Sequence, residues 1–142
     1  MKKDTSRIVE ELKECSDFRS FYGNLKKEGN VSDRSLSDCL SELFEAKGLS
    51  RAEVIKKSEM SEIYAYQIIS GIKRPERKKL LALTVGMELG LEETQRLLTV
   101  SGYPELYVKN TFDCIVMYGI CKKKTVMDIN EMLYDYGEPT IG

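Results

Sequence analysis

Apolar residues recur at spacings of three and four along most of this chain, and short clusters of Gly, Ser, Asn and Asp punctuate them. Strict alternation of apolar and polar positions, the mark of a half-buried strand, is nowhere sustained, so the chain is expected to be all-α. Over residues 5–27, Ile8, Val9, Leu12, Phe18, Phe21, Tyr22 and Leu25 predict an amphipathic helix, broken near Ser16-Asp17, and Gly29 to Asp33 reads as a linker. Ser35-x-x-Asp38 then forms a capping box ahead of the stripe Leu36, Cys39, Leu40, Leu43 and Phe44, which Gly48 closes.

A second capping box, Ser50-x-x-Glu53, opens a short helix that buries Val54, Ile55 and Ser58. Glu59-Met60-Ser61 breaks it, and Ser61 caps another helix in which Ala65, Ile68, Ile69 and Ile72 fall on one buried stripe. Gly71 ends that helix. Pro75 fits the first turn of the next, with Leu80, Leu81, Leu83, Thr84 and Met87 as its core face and Gly90 as its stop. A helix from about Leu91 to Ser101 carries Glu92 and Glu93 in its first turn and leaves through Gly102 and Pro104. Asn110 caps a helix with Phe112, Ile115, Val116 and Tyr118 that Gly119 ends. Thr125-x-x-Asp128 caps one more, with Val126, Ile129, Met132, Leu133 and Tyr136 inward, so the two are expected to form an αα-hairpin. Glu138 to Gly142 is expected to be disordered.

With 142 residues, 42% hydrophobic and 32% charged, the chain has an ordinary globular balance. Its net charge of −1 would not by itself suggest a nucleic-acid partner. The distribution changes that picture: from Lys47 to Lys79 nine cations stand against four anions, a surplus of +5 that leaves −6 for the remainder. Lys73, Arg74, Arg77, Lys78 and Lys79 are crowded into seven positions and suit a phosphate backbone. The helix just before them exposes Glu62, Ile63, Tyr66, Gln67 and Ser70, a face with large apolar groups that solvation alone would not require.

Four cysteines without CxxC spacing and no histidine make a zinc site improbable. Cys39 and Cys114 are expected as buried free thiols. The start MKKDTSRIVEEL has no apolar signal core, and no run of 18 apolar residues occurs, so a cytoplasmic protein without membrane association is expected. There is no Gly-rich phosphate loop and no paired carboxylates in an apolar setting. Neither an enzyme nor a cofactor is expected.

The turn serine Ser61, the Ile69-Ser70-Gly71-Ile72 helix end and the following Lys73-Arg74-Pro75 resemble the helix-turn-helix of the lambda-repressor-like (Xre) family. The resemblance implies a five-helix DNA-binding unit over residues 35–102, preceded by the N-terminal helix and linker (1–34) and followed by a helical extension (103–142). A looser similarity covers the whole chain, including a tail Leu133-Tyr-x-Tyr-Gly-Glu138. The family's second helix enters the major groove, which implies base contacts from Glu62, Ile63, Tyr66 and Gln67. Phosphate contacts would fall to Arg51, Ser70, Lys73, Arg74 and Lys78. Double-stranded DNA is then the partner, and a homodimer on two half-sites follows from the small face of one copy. Three residues depart from the family pattern: Ile55 for a small residue, Ala65 for a larger one and Glu59 for a turn Gly. The first two look like a volume exchange; Glu59 implies a looser turn.

The rival reading is an Xre-like fold whose face binds a protein, or serves as an antitoxin with the tail helices on the toxin. Glu59 and a sequence pI of about 5.7 favour it, whereas the +5 cluster with Gln67, Ser70 and Arg74 favours DNA.

Overall fold

The computed structural model describes residues 5–20 and 35–142, which are all-helical with no strand among them. Two units divide at residues 34 and 35. In the first, α1 spans Thr5–Glu14 and leaves Val9 and Leu12 exposed. The expected break at Ser16-Asp17 is present because the Asp17 carboxylate accepts from Ser20 Oγ at 2.7 Å and from the Arg19 and Ser20 amides, which starts a new turn. Phe21, Tyr22, Leu25 and the linker at Gly29 to Asp33 lie outside the described residues.

In the second unit, α2 (Leu36–Lys47) begins with a complete capping box: Ser35 Oγ accepts from the Asp38 amide at 3.1 Å and Asp38 Oδ2 from the Ser35 amide at 3.3 Å. Leu40 and Phe44 are buried, and Gly48, at φ 61°, turns the chain out of the helix. α3 (Arg51–Ser58) has only half the expected box. Ser50 Oγ accepts from the Glu53 amide at 3.4 Å, while Glu53 lines a cleft instead of returning the bond. α4 is Glu62–Ile69, α5 Arg77–Gly86, α6 Leu91–Val100, α7 Thr111–Cys121 and α8 Val126–Asp135.

α5 organises the unit. Every residue from Leu80 to Gly86 is buried, so after its first, basic turn this helix is buried all round rather than along the single face its sequence suggests. One side, with Leu83 and Met87, packs into the cluster of Leu40, Phe44, Val54, Ile55, Ala65 and Ile68. The other, with Leu80, Leu81, Ala82 and Val85, meets Leu98, Val116, Val126, Ile129 and Leu133. The helices after residue 102 thus share α5 with those before it.

Several local expectations change for reasons of packing. α5 stops at Gly86 and Met87, not at Gly90, because Glu88 turns left-handed (φ 58°); Gly90 caps α6, its amide donating to Glu93 Oε1 at 3.1 Å. Pro75 precedes α5 by two residues and is buried, its carbonyl accepting from Tyr103 Oη at 2.8 Å. α7 runs through Gly119 to Cys121, because Gly119 serves a close crossing: a Cβ there would lie 2.6 Å from Ile129 Cδ1. Cys114 is exposed, on the face of α7 away from Val116 and Ile120. Tyr136 is exposed because α8 ends one residue before it. The end of the chain is ordered: Asn130 brackets Ile141 through both backbone groups (2.9 and 2.7 Å), and the Ile141 side chain is buried beside α5. Burying an isoleucine contributes about 2 kcal/mol, enough to hold a short tail down.

Glu93 also ties α6 to α2 through Lys47 Nζ at 3.2 Å. Partial burial alone would raise its pKa, but the Gly90 amide and Lys47 outweigh that and hold its carboxyl below the ordinary value. A depressed folded pKa contributes stability above the unfolded pKa and loses it as pH falls through the folded one. Glu93→Gln should therefore be less stable than the parent at neutral pH, and the gap should close in acid. Urea titrations at neutral and acidic pH read this difference; a gap that persists in acid would show that packing rather than charge is lost.

Candidate nucleic-acid interface

α3 and α4 meet through a three-residue turn, Glu59-Met60-Ser61. The expected loosening at Glu59 does not occur. Glu59 takes the left-handed conformation itself (φ 53°, ψ 38°), its amide donating to the Lys56 carbonyl at 3.2 Å, at a cost of about 1–2 kcal/mol. Beneath the turn, the fully buried Ser58 donates its hydroxyl to the Val54 carbonyl at 2.7 Å. Ile55 and Ala65 lie in one core cluster. Ser61 Oγ accepts from the Tyr64 amide at 3.4 Å and starts α4.

The back of α4, Ala65, Ile68 and Ile69, is buried. Its front carries Glu62, Ile63, Tyr66 and Ser70 in the open, Ile63 being 73% exposed, with Gln67 half-buried beside them. Ile72 does not continue the buried stripe and is 74% exposed. Gly71 (φ 86°) turns the chain one residue earlier, and the Ile72 and Lys73 amides donate back to the Gln67 carbonyl at 2.9 and 3.1 Å. Ser37 Oγ donates to the Ile69 carbonyl at 2.8 Å, fixing the end of α4 against α2.

The cations divide into two sets. Arg77 does not reach outward: its guanidinium grips Asp113 at 3.0 and 3.1 Å and donates to the Pro104 and Glu105 carbonyls. Lys79 donates to the Gly142 main-chain oxygen at 2.6 Å. Lys47 pairs with Glu93, and Lys57 with Glu88 at 3.5 Å. Three of the nine cations are thus matched by acids outside the segment, which cuts the local surplus from +5 to +2.

The others stay at the surface. Arg51 lies over the Phe44 ring at 4.8 Å, Lys73 stands 5.8 Å from the Tyr64 ring, and Lys56 and Lys78 are exposed with no acid partner among the described residues. Arg74 is exposed but held: Nε and Nη2 donate to the Ser101 carbonyl at 3.3 and 2.6 Å while the group stacks on Tyr103 at 4.5 Å. Ser70 Oγ donates to the Gln67 carbonyl at 3.3 Å.

Tyr64, Tyr103 and Ser37, which position Lys73, Arg74 and α4, are not among the residues expected from sequence. No local pattern marks them, since each acts on a partner distant in sequence or around the helix.

Among the described residues no group of three His, Cys, Asp or Glu side chains could hold a metal ion, and no helix is long and apolar enough to cross a membrane. No family model matches the chain, and no curated protein or solved structure matches it either.

Proposed function

We propose that the chain is a sequence-specific regulator that binds double-stranded DNA, with α3, the turn and α4 acting as a lambda-repressor-like helix-turn-helix. The observation that carries this reading is the front of α4: Glu62, Ile63 and Tyr66 project together from a helix whose back is locked into the core. A helix of this width fits the major groove. Gln67 is assigned to adenine, Ile63 and Tyr66 to a thymine methyl, and Glu62 to a cytosine amine. Arg51, Ser70, Lys73 and Lys78 hold phosphates, and Arg74 joins them through the edge of its guanidinium left open by Ser101. A homodimer doubles these contacts, with the N-terminal helix or the C-terminal hairpin as interface.

Selection of duplexes from a random pool, followed by affinities of two variants, tests the assignment. Gln67→Ala should cost roughly 1–3 kcal/mol at one base position only, and Lys73→Ala should weaken all duplexes alike and flatten the salt slope by about one unit. If both variants bind like the parent, this face does not contact DNA. The exposed Ile63, beside Glu62 and four residues from Glu59, and the exposed Ile72 favour a second reading in which the same face binds a protein. Selection that enriches no duplex would point there.

A further inference from the structure

On a different part of the second unit, the end of α3, the α5–α6 turn and the α7–α8 turn enclose a cleft of about 890 Å³, within the size range of small-molecule sites. Its floor is apolar but narrow: Val85, Leu89 and Ile120 show only their edges there, Val126 lies fully buried behind them, and Met127 stands exposed at the rim. Its rim is charged and uneven. On the α3 side, Glu53 and Glu59 stand beside Lys56, and Lys57 is satisfied by Glu88. On the α7–α8 side stand Lys123 and Lys124, exposed and with no acid partner among the described residues.

The backbone singles out the same place. Glu59, Glu88 and Lys123 are the non-glycine residues with positive φ among the described residues (53°, 58° and 55°), and all three line this cleft. Each ends a helix, α3, α5 and α7 in turn, so three helix ends converge on the cleft.

We propose that this cleft binds a free amphipathic organic anion, its apolar body against Met127 and the open edges of Val85, Leu89 and Ile120 and its acid group at Lys123 and Lys124. A cationic amphiphile would meet two unpaired ammonium groups there, and a neutral one would leave them unused. The floor is recessed between helices rather than spread on an exposed face, which suits a free molecule rather than a bilayer. Binding would also press on Glu59, the hinge between α3 and α4; that consequence rests on the DNA-binding reading, whereas the binding itself does not.

Decanoate, below its micellar concentration, is a suitable probe, with methyl decanoate as its uncharged counterpart. Titrated into the ¹⁵N-labelled full chain, decanoate should shift the amides of Leu89, Ile120 and Lys123 to Met127 along one saturable curve, and the ester should bind at least about tenfold more weakly. Lys123→Asn combined with Lys124→Gln keeps a residue that tolerates the left-handed turn and should weaken decanoate by about tenfold while leaving the ester unchanged. Absence of a saturable shift at these amides would overturn the site. Equal affinity for acid and ester would overturn the anion assignment. Cosedimentation with phosphatidylglycerol vesicles through the same lysines would overturn the free ligand in favour of a membrane.

Discussion

Gly86→Ala should be the most damaging single-methyl change in this protein, lowering stability by about 3 kcal/mol and the thermal midpoint by roughly 15 °C. At Gly86, α5 passes so close to α3 that a Cβ would lie 2.8 Å from the Val54 carbonyl oxygen and 2.9 Å from the Ser58 amide, with Ser58 Oγ nearer still. These are mostly backbone atoms of a packed helix, so no rotamer change relieves them. α3 would have to move, breaking the buried bond between Ser58 and Val54 and displacing the turn that sets α4. Gly119→Ala is the control. There the obstacle is a side chain rather than backbone, Ile129 Cδ1 at 2.6 Å with Cγ1 nearer still; Ile129 is buried and β-branched, so it can yield only by shifting within the core, and the cost should be about 2 kcal/mol. Thermal unfolding followed by circular dichroism compares the two. Equal, small losses would mean that α3 and α5 are free to separate, and the account of the core would be wrong.

Asp113→Ala should destabilise the protein by about 2–4 kcal/mol through the charge it abandons. The Asp113 carboxylate accepts from both Arg77 terminal nitrogens and from the Tyr107 amide at 2.9 Å, with its side chain 9% exposed and that of Arg77 22%. Without it, Arg77 keeps only the Pro104 and Glu105 carbonyls, and residues 103–110 lose their tie to α7. Because Arg77 is partly solvated, the loss should fall below that of a fully buried pair. Replacing both partners, as Arg77→Met with Asp113→Ala, should recover much of the loss, since an apolar pair leaves no orphaned charge. Urea unfolding of the two single variants and the double variant gives the coupling, and hydrogen exchange at Leu106 and Tyr107 should speed up in Asp113→Ala. A double variant as weak as the sum of the singles would remove the ion pair from the explanation.

Arg77 also shows where sequence reading stops. It looked like part of a run of cations on one surface, yet its partner lies 36 residues away and no local pattern announces it. The helix starts at Ser35, Asn110 and Thr125 were legible because a cap and its partner sit three residues apart. The front and back of α4 were legible for the same reason, as periodicity within one helix sorts Ala65, Ile68 and Ile69 from Ile63 and Tyr66. Long-range geometry was not. Gly86, the last residue of α5, and Gly119, in the last turn of α7, stand where another helix crosses, and Ile141 is buried because Asn130 catches the backbone on both sides of it. A glycine in a sequence marks a stop or a close approach equally well, and only the neighbour decides. The charge surplus suffered likewise: +5 in sequence becomes +2 once Glu88, Glu93 and Asp113 are in place.

That reduction makes salt dependence the most direct measure of the central proposal, because it counts the cations that meet phosphate rather than those that could. Fluorescence anisotropy of the full chain against its own upstream DNA and a scrambled duplex, each at several salt concentrations, supplies it. About four phosphate contacts per subunit in a dimer predict a log–log slope of roughly −7 and preference for the upstream duplex. Absence of binding to either duplex at low salt would contradict the DNA-binding reading and transfer the front of α4 to a protein partner.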